Sequence, residues 1–194
     1  TDGSNSSATS SVITVSDEAK PVIVSAVTGD NNSDGTVDRL TLTFSESVEI
    51  TDGGSDNDIT LAASTGSASI TAGSYATTAS TLVYTISGAT AGNTSLTIDP
   101  TYAVSGAGII KDASNNEMSN SETVSGSDGA APVLLSATYK DTNGNGTVNR
   151  IDAVYSEVIT SSTFESGDWT FPANPASLSV GSGAFSGSTV QITV

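Results

Sequence analysis

The chain repeats itself. From Lys20 it reads "KPVIVSAVTGDNNSDGTVDRLTLTFSESVEI", and from Ala131 it reads "APVLLSATYKDTNGNGTVNRIDAVYSEVITS". Pro21 recurs as Pro132, Asp30 as Asp141, Gly35 as Gly146, Arg39 as Arg150 and Glu46 as Glu157, always 111 residues apart. Agreement of this kind over some thirty positions does not arise by chance, so the fold has to be one that a unit of about 110 residues builds and then stacks. A fainter echo lies upstream, where "DGSNSSATSSVITVSDEAKPV" from Asp2 resembles "DASNNEMSNSETVSGSDGAAPV" from Asp112. Three regions follow. Residues 1–20 read as the last strand of a preceding module or an N-terminal extension, residues 21–128 as one sandwich, and residues 129–194 as a second, incomplete one. The whole reads as a window on a longer tandem array.

Inside the complete unit, period-two alternation and β-branched residues mark "PVIVSAV", "RLTLTFS", "DITLAA", "SASITAG", "TLVYTIS" and "SLTID" as strands, with Gly, Asn, Asp and Ser clusters between them. "SETVSG" supplies the last. In the second strand Leu40, Leu42 and Phe44 share one face, which predicts the core side, and Arg39, Thr41, Thr43 and Ser45 share the other. Seven short strands and no amphipathic helix predict an all-β chain of tandem antiparallel Ig-like β-sandwich modules. A composition of 36 % hydrophobic and 5 % aromatic residues suits thin sandwiches better than a large enzyme core.

The inventory excludes much chemistry. With no His and no Cys, the commonest general base, the commonest zinc ligand and all thiolate sites are missing. Glu46 and Glu157 lack a matching carboxylate partner and an aromatic sugar platform, so the chain reads as no enzyme. A net charge of −16 makes nucleic acid a poor partner and divalent cations good ones. No apolar run approaches the ~20 residues of a membrane span, so direct membrane insertion is not expected.

Two loops carry ligand spacing. In "DNNSDGTVD" the oxygen donors are Asp30, Asn32, Asp34, the Thr36 carbonyl and Asp38, and Gly35 permits the sharp turn. "DTNGNGTVNRID" offers Asp141, Asn143, Asn145, the Thr147 carbonyl, Asn149 and, at the twelfth position, Asp152, where the first copy has Thr41. Hard oxygen ligands at alternate positions of a flexible loop suit Ca2+ better than magnesium. A bare hairpin needs only two turn residues, whereas these donors recur at matching positions in both copies. The loop joins the first and second strands at the pole facing the next module. Glu46 and the "KDASNN" turn fall at the opposite pole, near a linker that carries Asp17 and Glu18; Asp128 and Glu157 repeat that arrangement.

"LTLTFSESVEI", "GIIKDASNNEMS" and "GAAPVLLSA" resemble the bacterial Ig-like repeats of S-layer proteins and large surface adhesins. Phe44, Ser45 and Glu46 fit that family's strand ending, and Asp112, Ser114 and Asn115 fit its later turn, with Ser in place of the usual Gly. The loops themselves resemble the dockerin calcium loop, though a strand follows them and not a helix. The resemblance implies an extracellular, calcium-binding structural repeat of a prokaryotic surface protein that self-associates into a lattice. Alternatives are the spacer stalk of an adhesin and a filament subunit completed by strand donation from a segment such as "SSVITVS".

Overall fold

A computed structural model of the chain describes residues 14–50, 59–74, 79–103, 110–119, 121–160, 163–171 and 178–194. Most of the N-terminal region 1–20, including most of "SSVITVS", lies outside the described residues. Among those described there is no α-helix, only strands and one 3-10 turn at Ser166–Asp168. The chain is all-β, as its alternation predicts, and no described helix is long and apolar enough to cross a membrane.

In the first copy β1 (Ile23–Gly29), β2 (Arg39–Ile50), β4 (Ser69–Ser74), β5 (Ala79–Ser87) and β9 (Gly126–Ser127) form one sheet in the order β4-β5-β2-β1-β9. A second sheet runs β3 (Ile59–Ala63), β6 (Ile98–Tyr102), β8 (Glu122–Thr123). One apolar core includes residues of both sheets, the arrangement of a β-sandwich. Leu40, Leu42 and Phe44 of β2 are buried with Leu82, Tyr84 and Ile86 of β5 and with Ile98 and Tyr102 of β6. The face predicted for Leu40, Leu42 and Phe44 is therefore the core face. Thr28, itself buried, links β1 to the opposite layer by donating its hydroxyl to the Leu96 carbonyl at 2.8 Å.

The last predicted strand differs. "SETVSG" is split: β8 pairs antiparallel with β6, whereas β9 pairs parallel with β1, so the copy is not purely antiparallel. To change sheets the chain must pass close over β6. A Cβ on Gly126 would lie 2.0 Å from the Ile98 carbonyl oxygen, so only glycine fits there, and its N–H is held by Asp99 Oδ1 at 2.8 Å. β7 (Ile110–Lys111), read from sequence as part of a turn, pairs with the far end of β2 and buries Ile110. "SLTID" begins its ladder later than its alternation suggests, at Ile98.

The second copy presents β10 (Leu134–Lys140), β11 (Arg150–Tyr155), β12 (Gly183–Ser186) and β13 (Thr189–Thr193) as one sheet ordered β10-β11-β13-β12. Its separate core buries Ile151, Ala153, Val190 and Ile192. Phe164, Trp169 and Phe171 stack in series at centroid distances of 6.0 and 6.4 Å and pack against that core. β10 is exposed along its length, while its equivalent β1 is largely covered. The described residues of the second copy include no counterparts of β6 and β9.

Candidate metal centres and the joint between the copies

Both loops are built on a shared set of hydrogen bonds at matching positions. The Asp30 carboxylate accepts the Ser33 amide at 2.8 Å on one oxygen and the Gly35 amide at 2.8 Å on the other. Asp141 does the same for Gly144 at 2.8 Å and Gly146 at 2.7 Å. Asn32 and Asn143 accept the amides two residues on, Asp34 and Asn145 accept those of Thr36 and Thr147, and Asp38 and Asn149 reach back to those of Asn31 and Thr142. Ser33 and Gly144 occupy the left-handed region at φ 59° and 70°, and Gly35 and Gly146 at 87° and 84°. The side-chain oxygens thus curl towards the loop's own backbone. The Gly146 amide leads in holding the Asp141 carboxyl below the usual carboxylate range, assisted by three further amides and opposed by burial.

Asp152 is placed differently from the rest. On β11 its carboxylate accepts a hydrogen bond from Arg150 Nη2 at 3.1 Å and is ion-paired with Nε at 2.8 Å, because residues two apart on a strand share a face. Its oxygens are therefore engaged by a guanidinium.

The two loops are not equally supported. Thr36 forms a parallel bridge with Asn93, so the first loop is clamped to the β5–β6 connection, and Gly35 and Val37 are buried. In the second loop residues 141–147 are exposed, and a Cβ on Gly144 or Gly146 would meet nothing within 4 Å. Rigidity and carboxylate count both raise calcium affinity, and the first loop has more of each. Calorimetric titration should accordingly show Asp30→Asn removing the tighter loop event and Asp141→Asn the weaker, with Asp152→Asn changing the affinity no more than about twofold. Equal loss from all three would refute this ranking.

Among the described residues, the three acidic side chains whose oxygens converge come from elsewhere. Asp17 from the linker, Glu46 from β2 and the buried Asp112 from the turn after β7 have carboxylate oxygens within 4.8 Å of one another, a grouping that could hold a metal ion. The turn is fixed by Asn116, whose amide N–H reaches Asp112 Oδ1 at 2.7 Å and whose side chain donates to Asp112 Oδ2 at 2.7 Å and to the Asp17 carbonyl at 3.1 Å. Burial, then the charges of Asp112 and Asp17 and a hydrogen bond to Asp112, push the Glu46 carboxyl up. Burial works to raise Asp112 as well, but the bonds from Asn116, Ser114 and Glu46 outweigh it and hold this carboxyl down. All the donors are hard oxygens, which fits a calcium-type ion.

The sequence places these three residues at one pole but does not reveal that they meet. Their spacing along the chain carries no signal, since the contact depends on β7 pairing with the end of β2.

The pole recurs at the joint between the copies. Asp128, Glu157, Ser156 and Leu135 stand 111 residues after Asp17, Glu46, Ser45 and Val24. Asp128 Oδ1 accepts the Ala130 amide at 3.0 Å, as Asp17 Oδ1 accepts that of Ala19 at 3.0 Å. Here the first copy closes the joint. Thr94 Oγ1 lies 2.7 Å from Ser156 Oγ and donates to Glu157 Oε1 at 3.0 Å, and the Thr94 amide reaches the Ser156 carbonyl at 3.4 Å. Leu135 sits over two glycines, its methyls 2.6 Å from where a Cβ on Gly35 would be and 3.2 Å from one on Gly92. Burial, with the charge of Asp128 and a hydrogen bond to it, raises the Glu157 carboxyl against the pull of Thr94.

A scan against protein-family models, a search of curated proteins and a search of solved structures each found no match.

Proposed function

We propose that this chain is a calcium-binding structural repeat of an extracellular prokaryotic surface protein, without enzymatic activity, built from Ig-like modules that self-assemble into an S-layer or similar lattice. The observation that carries the reading is the meeting of Asp17, Glu46 and Asp112 at the module pole where the linker enters. Asp128 and Glu157 repeat part of this group at the joint, a few residues from the loop pole of the first copy. Calcium bound at the trio or in a loop supplies the positive charge that like-charged carboxylates lack. The side chains do the remainder: Asp17 ties the linker to the sandwich, and the loop from Asp30 to Asp38 fixes the turn beside the next copy. Without such a cation, repulsion within a chain of net charge −16 favours a mobile joint.

Scanning calorimetry and small-angle scattering test this with calcium and with chelator. The expected result is a higher melting temperature and a longer, stiffer particle in calcium; no change in either quantity overturns the reading. The formation of sheets on calcium addition separates a lattice unit from an adhesin spacer, which stays a monomeric rod.

A further inference from the structure

We propose that the pole of the first copy bearing Val24, Ser45 and Glu46 is a docking face for a further unit of the same repeat, joined in tandem and presenting its own Gly35, Gly92 and Thr94. The inference rests on the tandem-repeat part of the reading above and does not require metal.

The joint already in the chain supplies the template. There Leu135 covers Gly35 and Gly92, and Ser156 and Glu157 receive Thr94. The equivalents Val24, Ser45 and Glu46 are held in the same local geometry. Ser45 Oγ accepts the Val22 amide at 3.1 Å, as Ser156 Oγ accepts that of Val133 at 2.8 Å, and the Ser45 amide reaches the Val22 carbonyl at 2.9 Å, as that of Ser156 reaches Val133 at 2.9 Å. What differs is cover. Ser156 is 6 % exposed beneath Thr94, whereas Ser45 is exposed; Val24 at 52 % and its seated counterpart Leu135 at 42 % differ little, so the serine carries the contrast.

The two halves of this contact are different surfaces, so forming one joint uses the glycine pole of one unit and the Ser-Glu pole of the next. Such a head-to-tail contact leaves a free half at each end and extends without closing. The upstream echo of residues 112–131 in residues 2–20 supports a tandem source. A short linker keeps the local concentration high, so a contact of this small size suffices.

The chain contains no cysteine, which allows a direct test. In the 194-residue chain, Thr94→Cys with Ser156→Cys puts two thiols where hydroxyls lie 2.7 Å apart, and mild oxidation should link them. In a longer chain, with a second copy of residues 17–127 inserted before Asp128, the test pair is Thr94→Cys in the first copy and Ser45→Cys in the inserted one. Both oxidations are run in chelator, so that a failure of metal binding does not affect them. The expected result is linkage of the test pair at a rate within a fewfold of the reference pair, read by intact mass. Free thiols in the test pair beside a linked reference pair overturn the proposal, and so does failure of the reference pair. Should the cysteine variants fold poorly, amide exchange in the cysteine-free longer chain decides. Two protected Thr94 amides support docking; one protected and one fast refute it.

Discussion

Glu46→Gln is expected to reverse its effect with calcium. At about 100 times the dissociation constant, a cation that binds only the folded chain adds about 2.7 kcal/mol, roughly 10 °C for a domain of this size. A neutral amide at position 46 removes one of three ligand carboxylates, so much of that rise should disappear. In chelator the order should invert, because the folded protein disfavours a charge on Glu46: its carboxyl is raised by burial and by Asp112 and Asp17. The variant should then melt at the same temperature as the parent or above it. Thermal scans of both proteins in calcium and in chelator check the crossing. A variant less stable than the parent in both buffers would show that Glu46 has only a packing role.

The same shifts set the sign of the pH dependence. Because the folded-state carboxyls of Glu46 and Glu157 lie above their ordinary value of 4.5, the folded state binds more protons there than the unfolded chain. Stability in chelator should therefore increase as the pH falls from neutral towards about 4.5. Asp112 and Asp141 are lowered from 3.8, so what they contribute is complete above that value and is lost as the pH falls below it. The calcium-dependent rise should shrink over the upper window, where protons compete for Glu46. Urea titrations at several pH values give both slopes, and a monotonic loss of stability from pH 7 downward in chelator would contradict the assignment.

Gly126→Ala is the other large effect expected, about 3 kcal/mol or more of the first sandwich's stability. The added methyl would sit 2.0 Å from a backbone carbonyl, that of Ile98, and backbone cannot swing aside as a side chain can. Relief requires β9 to move off β6, which gives up the Asp99 bond and the two parallel rungs to β1. Gly144→Ala is the comparison. Its φ of 70° is strained for alanine, but nothing lies within 4 Å, so a cost of about 1 kcal/mol is expected from conformation alone. Equal midpoints for the two variants in denaturant would mean that the sheet crossing at Gly126 is not tight.

How much the sequence reveals depends on how locally each feature is encoded. Leu40, Leu42 and Phe44 declare their face by alternation, and they occupy it. The loops declare their turns through Gly35, Gly146 and the oxygen donors around them, and each of their bonds spans only a few residues. Asp152 is different: its twelfth position has ligand meaning only if the following chain curls back, and a strand sends it to Arg150 instead. The division of "SETVSG" between two sheets was not legible, because its alternation is the same whichever sheet each half joins.

By itself the sequence determined the 111-residue unit, the all-β class, the core face of β2 and the local shape of both loops, since repetition, period and turn chemistry act over short stretches of chain. Tertiary structure alone decided that Asp17, Glu46 and Asp112 meet, that Gly126 lies against Ile98, and that Leu135 rests on Gly35 and Gly92. These contacts join residues tens of positions apart. They exist only once strand order and the sheet crossing at β9 have been chosen, and no local pattern records that choice.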